Sequence, residues 1–531
     1  MRRAVGRFVF ATVLVVSASA AAPSAAVSPA DSPAPRIAQE RSDFNGDGFA
    51  DLAVTALLED VGIARDAGAV HVIYGSASGL AAAGNQFWSQ DSPGVADTAE
   101  QDDRFGESLA VADFNGDGYA DLGVGASHEG LGSLADAGAV TVLYGSGDGL
   151  TAAGSQVWSQ DSPGVAGAAE ENDQFGRSLA GGDLNGDGFA DLAVGAPGED
   201  LGVSDAGAVS VLYGTARGLG ADHNQFWSQD SPGVAGAAEP LDLFGHAVAI
   251  ADVGRSAHAD LAIGAFAEDI GRTLDAGGVN IVYGSASGLA ATGNQFWSQD
   301  AAGVAGAAET DDFFGLALVA ADLGNGPHAD LAVGVAEDVG SVVDAGAVNV
   351  IYGSATGASS AGNQFWSQDS AGVAGAAETD DLFGFRLTAG DVGSSAHADL
   401  VVGVFGEAIG PVEAAGAVAV IHGSTRGLTA AGNQFWSQDS PGILDTAETM
   451  DRFGSGLAAA DFANDGHPDL AVGVPLEGIP TASNGGAVQV LQGTTTGLAA
   501  AGNRLWTQDS PDVADDAEEF DCFGSPVAAF G

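Results

Sequence analysis

Acidic nonapeptides are the segments of this sequence whose residue types and spacing could do chemistry. The first, residues 43–51, reads Asp-Phe-Asn-Gly-Asp-Gly-Phe-Ala-Asp, with oxygen-bearing side chains at positions 1, 3, 5 and 9 and glycine at position 6. Ca²⁺ takes about six to eight oxygen ligands, and glycine allows the sharp turn that folds a chain around the ion. Position 7 would add its backbone carbonyl. This acidic loop therefore predicts a calcium site.

Two more acidic loops keep the whole pattern, which strengthens the prediction. An acidic turn without metal is the less favoured alternative, because it would hold three carboxylates close together without a counter-ion. The predicted ligands are Asp43, Asn45, Asp47, Phe49 and Asp51 in the first loop, Asp113, Asn115, Asp117, Tyr119 and Asp121 in the second, and Asp183, Asn185, Asp187, Phe189 and Asp191 in the third.

Four further acidic loops depart from the pattern. The seventh lacks an oxygen at position 3, where Ala463 stands, and predicts a weaker fourth site with Asp461, Asp465, His467 and Asp469. The fourth, fifth and sixth loops keep only their outer acids, Asp252 and Asp260, Asp322 and Asp330, and Asp391 and Asp399. Histidine occupies position 7 there, at His258, His328 and His397. We expect these histidines to fill the turn rather than bind a transition metal, since no second imidazole recurs nearby.

The acidic loops recur with a fixed period, which predicts the elements that position them. The seven tryptophans are 69 or 70 residues apart, and Phe-Gly pairs recur on the same spacing. Each repeat holds four short apolar runs between turn signals; in the third they are 175–181, 192–196, 208–213 and 225–228. We therefore predict an all-β fold, a seven-bladed β-propeller of four-stranded antiparallel blades, rather than a solenoid.

The way the ring closes is also predicted by the Phe-Gly pairs. Each internal pair precedes an acidic loop by six residues, but the last pair, Phe523-Gly524, is followed by six residues and then by Gly531. We expect residues 523–530 to supply the missing strand of the first blade, so that the C-terminal strand closes that blade and no edge is exposed. The alternative, that residues 37–42 form this strand alone, is less favoured because they lack the Phe-Gly pair.

Together these motifs resemble the FG-GAP repeats of integrin α-subunit propellers and their secreted bacterial relatives. The resemblance runs from about residue 36 to 531 and includes Asp-Leu-Ala-Val-Gly-Ala-Pro at 191–197 and Gly-Ala-Val before Tyr-Gly. It implies a seven-bladed propeller with Ca²⁺ in the loops that join first and second strands. The intact loops of this chain lie in the first three repeats, whereas the integrin pattern places them in later ones.

The N-terminal residues predict export. A basic start, an apolar run from residue 8 to about 16 and small residues after it are typical of a signal peptide, which we place at 1–22. That run is too short to span a membrane. An Ala/Pro/Ser lead-in over 23–35 would be flexible and would connect to the propeller at 36–531. We therefore expect a secreted, extracellular protein.

The charge of the chain limits its partners. It has 71 acidic and 15 basic residues, a formal charge of −56, so nucleic acids and anionic lipid surfaces are excluded. The loops between second and third strands and the blade-to-blade connections share one face and carry many acids, among them Glu59 and Asp103. This face is either a docking surface for a cationic partner or a hydrated coat that serves solubility in salt.

No catalytic motif stands out. The sequence has no Gly-x-Ser-x-Gly elbow and no lysine for a phosphate-binding loop, and its near-identical repeats show no asymmetric cluster of catalytic residues. We predict a monomeric, non-enzymatic binding or adhesion module for an extracellular protein or glycan. Two alternatives stay open: an extracellular hydrolase or lyase acting on a polysaccharide or lipid-linked glycan, and a passive envelope or matrix protein.

Overall fold

Seven sheets of short strands make up the described part of the protein, because each repeat places four β-prone segments between tight turns. The computed structural model describes residues 41–393, 395 and 397–529. The predicted signal peptide at 1–22 and the lead-in at 23–35 lie outside these residues. The described part of the chain contains strands, turns and bends only, and so has no helix that is long and apolar enough to cross a membrane.

The 28 strands alternate in direction within each blade, which runs from an innermost strand at the centre to a fourth strand at the rim. The first blade contains β28 (Phe523–Ala528), β1 (Leu52–Ala56), β2 (Ala69–Tyr74) and β3 (Ala81–Trp88). The second contains β4 (Ser108–Ala112), β5 (Asp121–Ala126), β6 (Ala139–Tyr144) and β7 (Thr151–Trp158). The third contains β8 (Ser178–Gly182), β9 (Asp191–Ala196), β10 (Ala208–Tyr213) and β11 (Gly220–Trp227). The fourth contains β12 (Ala247–Ala251), β13 (Asp260–Ala265), β14 (Gly278–Tyr283) and β15 (Ala290–Trp297).

The last three blades follow the same order. The fifth contains β16 (Leu318–Ala321), β17 (Asp330–Val335), β18 (Ala347–Tyr352) and β19 (Ser359–Trp366). The sixth contains β20 (Phe383–Gly390), β21 (Asp399–Val404), β22 (Ala417–His422) and β23 (Thr429–Trp436). The seventh contains β24 (Gly456–Ala460), β25 (Asp469–Val474), β26 (Ala487–Gln492) and β27 (Ala499–Trp506).

The innermost strands form a closed ring. Strands β4, β8, β12, β16, β20, β24 and β28 each contact the next in that order, and β28 contacts β4 again. These strands therefore surround a central channel, and the fourth strand of each blade lies at the outer rim. The arrangement confirms the predicted seven-bladed propeller.

The two ends of the described chain meet in the first blade, as predicted. Strand β28 pairs antiparallel with β1, with Val54 opposite Val527. The strand ends at Ala528, two residues before the predicted end, and Phe530 lies outside the described residues. A side chain also crosses this seam, because the Arg504 guanidinium donates hydrogen bonds to the carbonyl oxygens of Leu80 and Ser78.

The hydrophobic core lies between the blades rather than in one centre. Second and third strands are buried on both faces, whereas the fourth strand is only partly buried. Trp227, for example, belongs to the same buried cluster as Phe244 and Leu261 of the neighbouring blade. The fourth strand of the third blade begins at Gly220, five residues before the predicted run. The apolar pattern missed this part because a rim strand with one solvent-facing side accepts polar residues.

Candidate calcium site

The acidic loops occupy one end of the blades, where each precedes the second strand; in blades two to seven the loop also follows the innermost strand. In the first loop, Asp43 folds the chain by accepting hydrogen bonds from the backbone N–H groups of Asp47 (3.0 Å) and Gly48 (2.7 Å). Asn45 Oδ1 accepts from the Asp47 N–H at 2.9 Å, and Asp47 Oδ1 accepts from the Phe49 N–H at 3.0 Å. The oxygens at positions 1, 3 and 5 therefore line the inside of one turn.

The second and third acidic loops have the same geometry. Asn115 accepts a hydrogen bond from the Asp117 N–H, and Asn185 accepts from the Asp187 N–H, each at 2.8 Å. The N–H groups of Tyr119 and Phe189 are bonded to the aspartate at position 5, each at 3.0 Å. Since the three loops differ at positions 2 and 7 and still adopt one conformation, the Asp, Asn and Gly positions determine it.

Position 9 is a buried carboxylate in each intact loop. Asp51, Asp121 and Asp191 are 0% exposed. One oxygen of Asp51 accepts from the Phe44 N–H at 2.8 Å and the other from the Gly75 N–H at 2.9 Å, which ties the loop to the hairpin after β2. Burial, together with the charges of Asp43 and Asp47, raises the pKa of Asp51 to about 8. An ion here would relieve this repulsion, since a carboxylate has further lone pairs to offer.

The donor set of the intact loops fits a hard cation. It consists of oxygens only, in a turn with an exposed aspartate at position 5 and a buried one at position 9. Among the described residues, however, the groups of three acids that come close enough to hold a metal ion are not in these loops. Three carboxylates come within 4.8 Å of one another at Glu100, Asp103 and Glu129, and at Glu448, Asp451 and Glu477. The calcium ligands named from the sequence therefore stay a prediction.

The seventh loop keeps most of the fold of the intact ones. Asp461 accepts from the N–H groups of Asp465 (3.0 Å) and Gly466 (2.8 Å), and Asp465 accepts from the His467 N–H at 3.0 Å. Burial raises the pKa of Asp469 to about 7. Ala463 offers no oxygen at position 3, so the loop provides one side-chain ligand fewer than the others.

The side chain at position 7 connects neighbouring loops, a role that the sequence analysis missed. A Cβ atom on Gly46 would lie 2.5 Å from Tyr119 Cε1, and one on Gly116 would lie 2.6 Å from Phe189 Cε1. The ring at position 7 of one loop therefore packs on the glycine at position 4 of the preceding loop. That glycine recurs at position 4 of every intact loop, and this recurrence is the sequence feature from which the contact could have been predicted.

In the incomplete loops, histidine at position 7 reaches the preceding loop in a different way. His397 Nδ1 lies 3.1 Å from Asp322 Oδ1, and His328 Nδ1 lies 3.7 Å from Asp252 Oδ1. These imidazoles therefore do more than fill a turn, since each faces the first acid of the loop before it. His258, the first of the three, lies against Gly186 of the third loop.

Part of the acidic face at the other end of the blades is buried. Glu59 and Asp103, which the sequence placed on a solvated surface, are each 2% exposed. Glu59 accepts a hydrogen bond from Gln508 Nε2 at 2.6 Å. The same Gln-to-Glu bond joins adjacent blades at Gln90–Glu129, Gln160–Glu199, Gln229–Glu268, Gln299–Glu337, Gln368–Glu407 and Gln438–Glu477. These seven glutamates connect blades and are not part of a hydrated coat.

The mouth of the central channel at this end breaks the symmetry of the repeats. Arg104, Arg177, Arg386 and Arg452 all lie within two residues of a Phe-Gly pair, and such positions differ from blade to blade. The sequence analysis found only near-identical repeats because it compared the shared motif. The residues flanking that motif carry the asymmetry.

Comparison with known proteins agrees with the architecture. The model of the FG-GAP repeat matches residues 42–73, 105–143, 175–212 and 453–491. The chain carries FG-GAP repeats. The matched segments include the three intact acidic loops and the seventh, so the FG-GAP repeats recognised in this chain are those that keep most of the calcium pattern.

Proteins with similar sequences share a limited stretch with this chain. Phosphatidylinositol-glycan-specific phospholipase D of Rattus norvegicus is 33% identical over 177 residues, which is 33% of this chain and 20% of that protein. Integrin alpha-PS5 of Drosophila melanogaster is 38% identical over 162 residues, 30% of this chain and 14% of that protein. The chain thus aligns with a fifth or less of the length of these relatives.

A solved structure also resembles the chain. It is the crystal structure of the exotype rhamnogalacturonan lyase YesX, with a TM-score of 0.34, 12% sequence identity, and coverage of 76% of this chain and 57% of that chain. A likeness of this size carries no argument about function.

Proposed function

We propose that this FG-GAP protein is a secreted, calcium-stabilised propeller that acts outside the cell as a binding or adhesion module. The observation that carries the proposal is the set of three intact acidic loops on adjoining blades, each with the buried aspartate at position 9. A buried carboxylate beside two others favours a bound cation. The oxygen-only donor set favours Ca²⁺.

In this proposal the acids hold the ion, and contacts of each loop with its neighbours would become fixed when the ion binds. Positions 1, 3, 5 and 9 would ligate through side chains and position 7 through its carbonyl, while the seventh loop would bind more weakly. When bound, calcium supplies positive charge that offsets the clustered carboxylates. Asp51 would then fix its loop to the hairpin at Gly75, and Tyr119 would fix the second loop against Gly46 of the first.

Binding, rather than catalysis, is supported by the repetition of the loops. An array of equivalent rigid loops presents an extended surface, whereas catalysis needs one convergent set of groups. The enzymatic alternative, a hydrolase or lyase acting on a polysaccharide or lipid-linked glycan, has one observation in its favour. The asymmetric channel mouth brings Glu107, His128 and Arg177 together.

The experiment is a capture assay with the full chain. The immobilised protein is exposed to a panel of purified glycans and matrix proteins, with millimolar Ca²⁺ or with chelator. We expect saturable binding of at least one component that is lost with chelator and in a variant with Asp47→Ala, Asp117→Ala and Asp187→Ala. Binding of the Asp148→Ala variant should be unchanged, since Asp148 is exposed in a hairpin outside the acidic loops.

Two outcomes would overturn the proposal. Cleavage of a captured glycan would show an enzyme, and the three loop substitutions would then be expected to alter stability more than turnover. Retention of nothing on the panel, with a fold that still melts at higher temperature in Ca²⁺, would favour the passive structural alternative.

A further inference from the structure

A cavity of about 350 Å³ opens at the end of the blades opposite the acidic loops, between the second, third and fourth blades. This volume lies in the range of about 300–1,000 Å³ that small-ligand sites occupy. The polar and aromatic side chains of the lining include Glu107, His128, Gln174, Arg177, His246 and Phe266. None of them belongs to an acidic loop, so the cavity is separate from the calcium loops.

Charged side chains of the cavity are already paired with one another. Arg177 Nη1 donates to Glu107 Oε1, and the other Glu107 oxygen accepts from the Ser127 hydroxyl. His128 Nδ1 lies 3.0 Å from Asp136 Oδ1. An ion that entered the cavity would have to displace one of these partners and would also lose its own hydration. The cavity therefore favours an uncharged ligand.

Two uncharged polar side chains of the lining are available to a ligand. Within the described part of the chain, neither the Gln174 amide nor the His246 imidazole forms a side-chain hydrogen bond. Burial, with the charge of Arg177, lowers the pKa of His246 to about 3, so its ring is neutral. A primary amide and a neutral imidazole each offer both a donor and an acceptor. Hydroxyl groups, which also donate and accept, match both side chains.

The fourth blade gives the cavity an apolar wall. Leu243 and Phe266 line it there, and the ring centroids of Phe266 and His246 are 4.3 Å apart. Phe313 packs behind Phe266, with 5.4 Å between the ring centroids. Leu243 and Gln174 occupy equivalent positions, because each comes directly before a Phe-Gly pair. The cavity therefore changes from polar to apolar between the third blade and the fourth.

We propose that this cavity binds one unit of a neutral sugar, with hydroxyls at Gln174 and His246 and a C–H face against Phe266. A pyranose ring carries hydroxyls around its edge and C–H bonds on its faces, so it matches a cavity with one polar and one aromatic wall. Glu107 can accept from a further hydroxyl, because a carboxylate has lone pairs beyond those that Arg177 and Ser127 use. The site contains no residue of the acidic loops and goes beyond the proposed function.

The test is a titration of the full chain with the methyl glycosides of galactose, glucose and mannose, followed by ligand-observed NMR. Chelator is present throughout, so the result is independent of the proposed calcium sites. We expect saturable binding of at least one glycoside with a Kd of ~1 mM, and at least ~5-fold weaker binding of the corresponding uronic acid, whose carboxylate finds no unpaired cation. No saturation by any of the three at up to about 50 mM, or a uronic acid that binds as tightly, would overturn the proposal. Tighter binding of N-acetylphenylalaninamide would show a peptide site instead.

Two variants locate the bound sugar. Gln174→Leu should weaken the best glycoside at least ~5-fold, because a donor and an acceptor are lost. Leucine fits this position, since Leu243 has φ 55° in the next blade where Gln174 has φ 57°. His246→Leu should have a similar effect, and Leu316 occupies the equivalent position of the fifth blade. Gln101→Leu is the matched control, because Gln101 is exposed and does not line the cavity. Unchanged affinity in either cavity variant would contradict the proposal.

Discussion

His397 Nδ1 lies 3.1 Å from Asp322 Oδ1, although the two residues are 75 positions apart in the sequence. The contact joins the sixth acidic loop to the fifth. In the intact loops, the corresponding connection is made by an aromatic ring, as between Tyr119 and Gly46. The acidic loops are therefore coupled around the ring by the side chain at position 7. An imidazole replaces the aromatic ring where the calcium pattern is incomplete.

The coupling between His397 and Asp322 should be electrostatic and modest. Both side chains are partly exposed, 19% and 28%, so we expect His397→Phe to lower the free energy of unfolding by at most about 1 kcal/mol. The loss should be measured by urea unfolding at pH 6 and should shrink in 1 M salt, where charges are screened. A loss of several kcal/mol that is independent of salt would argue for packing instead.

Gly116 should be intolerant of a side chain for two separable reasons. Its φ is +70°, and a Cβ would lie 2.6 Å from Phe189 Cε1. Gly118 has φ +89° with nothing within 4 Å of a Cβ, so Gly118→Ala measures the backbone strain alone. We expect Gly118→Ala to lower the free energy of unfolding by about 1–2 kcal/mol, and Gly116→Ala to lower it further. Equal losses, measured with chelator present, would show that the ring of Phe189 adds no constraint.

Stability should fall as the pH rises from about 4.5 to about 9, because of buried glutamates such as Glu129. Burial, with the charges of Asp97 and Asp103, raises the pKa of Glu129 to about 9 from 4.5. The folded state thus retains a proton that the unfolded chain has lost. The resulting stabilisation is complete below pH 4.5 and disappears as the pH rises to about 9.

The variant Glu129→Gln tests this pH dependence. The melting temperature should fall less steeply between pH 6 and 9 in Glu129→Gln than in the parent, with chelator present throughout. The exposed acid Glu171 provides the control, because Glu171→Gln removes one charge without removing a buried carboxyl. If the two variants show the same slope, the general repulsion among surface charges, and not the buried glutamate, sets the pH dependence.

The seam between the last and first blades depends on Arg504. It donates to Leu80 and Ser78, at the position where Gln434 of the previous blade donates to the Leu498 carbonyl at 2.9 Å. Arg504→Ala should cost about 1–3 kcal/mol of unfolding free energy, because the carbonyl oxygen of buried Leu80 loses its donor. Arg504→Gln should restore most of the loss. If Arg504→Ala keeps full stability, then the pairing of β28 with β1, and not Arg504, stabilises the closure of the ring.

The sequence predicted the parts of the protein that repeat, and missed those that depend on neighbours in the ring. Periodic Phe-Gly pairs and tryptophans were sufficient to predict the blades, and the position of Phe523 predicted the closing strand. The burial of Glu129 was not predicted, because its partner Gln90 comes from the preceding blade. Likewise, Arg177 forms its ion pair with Glu107, which belongs to the preceding blade. Such contacts follow from the circular arrangement, which brings together residues that no local pattern relates.

The response of the full chain to Ca²⁺ tests the role of the acidic loops most directly. Melting temperature and bound calcium should be measured with chelator and with calcium up to millimolar concentrations. We predict a clear rise in the melting temperature, at least three bound ions, and an affinity of ~10⁻⁴–10⁻³ M. The triple variant Asp47→Ala, Asp117→Ala and Asp187→Ala should lose this rise, and Asp148→Ala should keep it. An unchanged rise in the triple variant would contradict the assignment of calcium to the three intact loops.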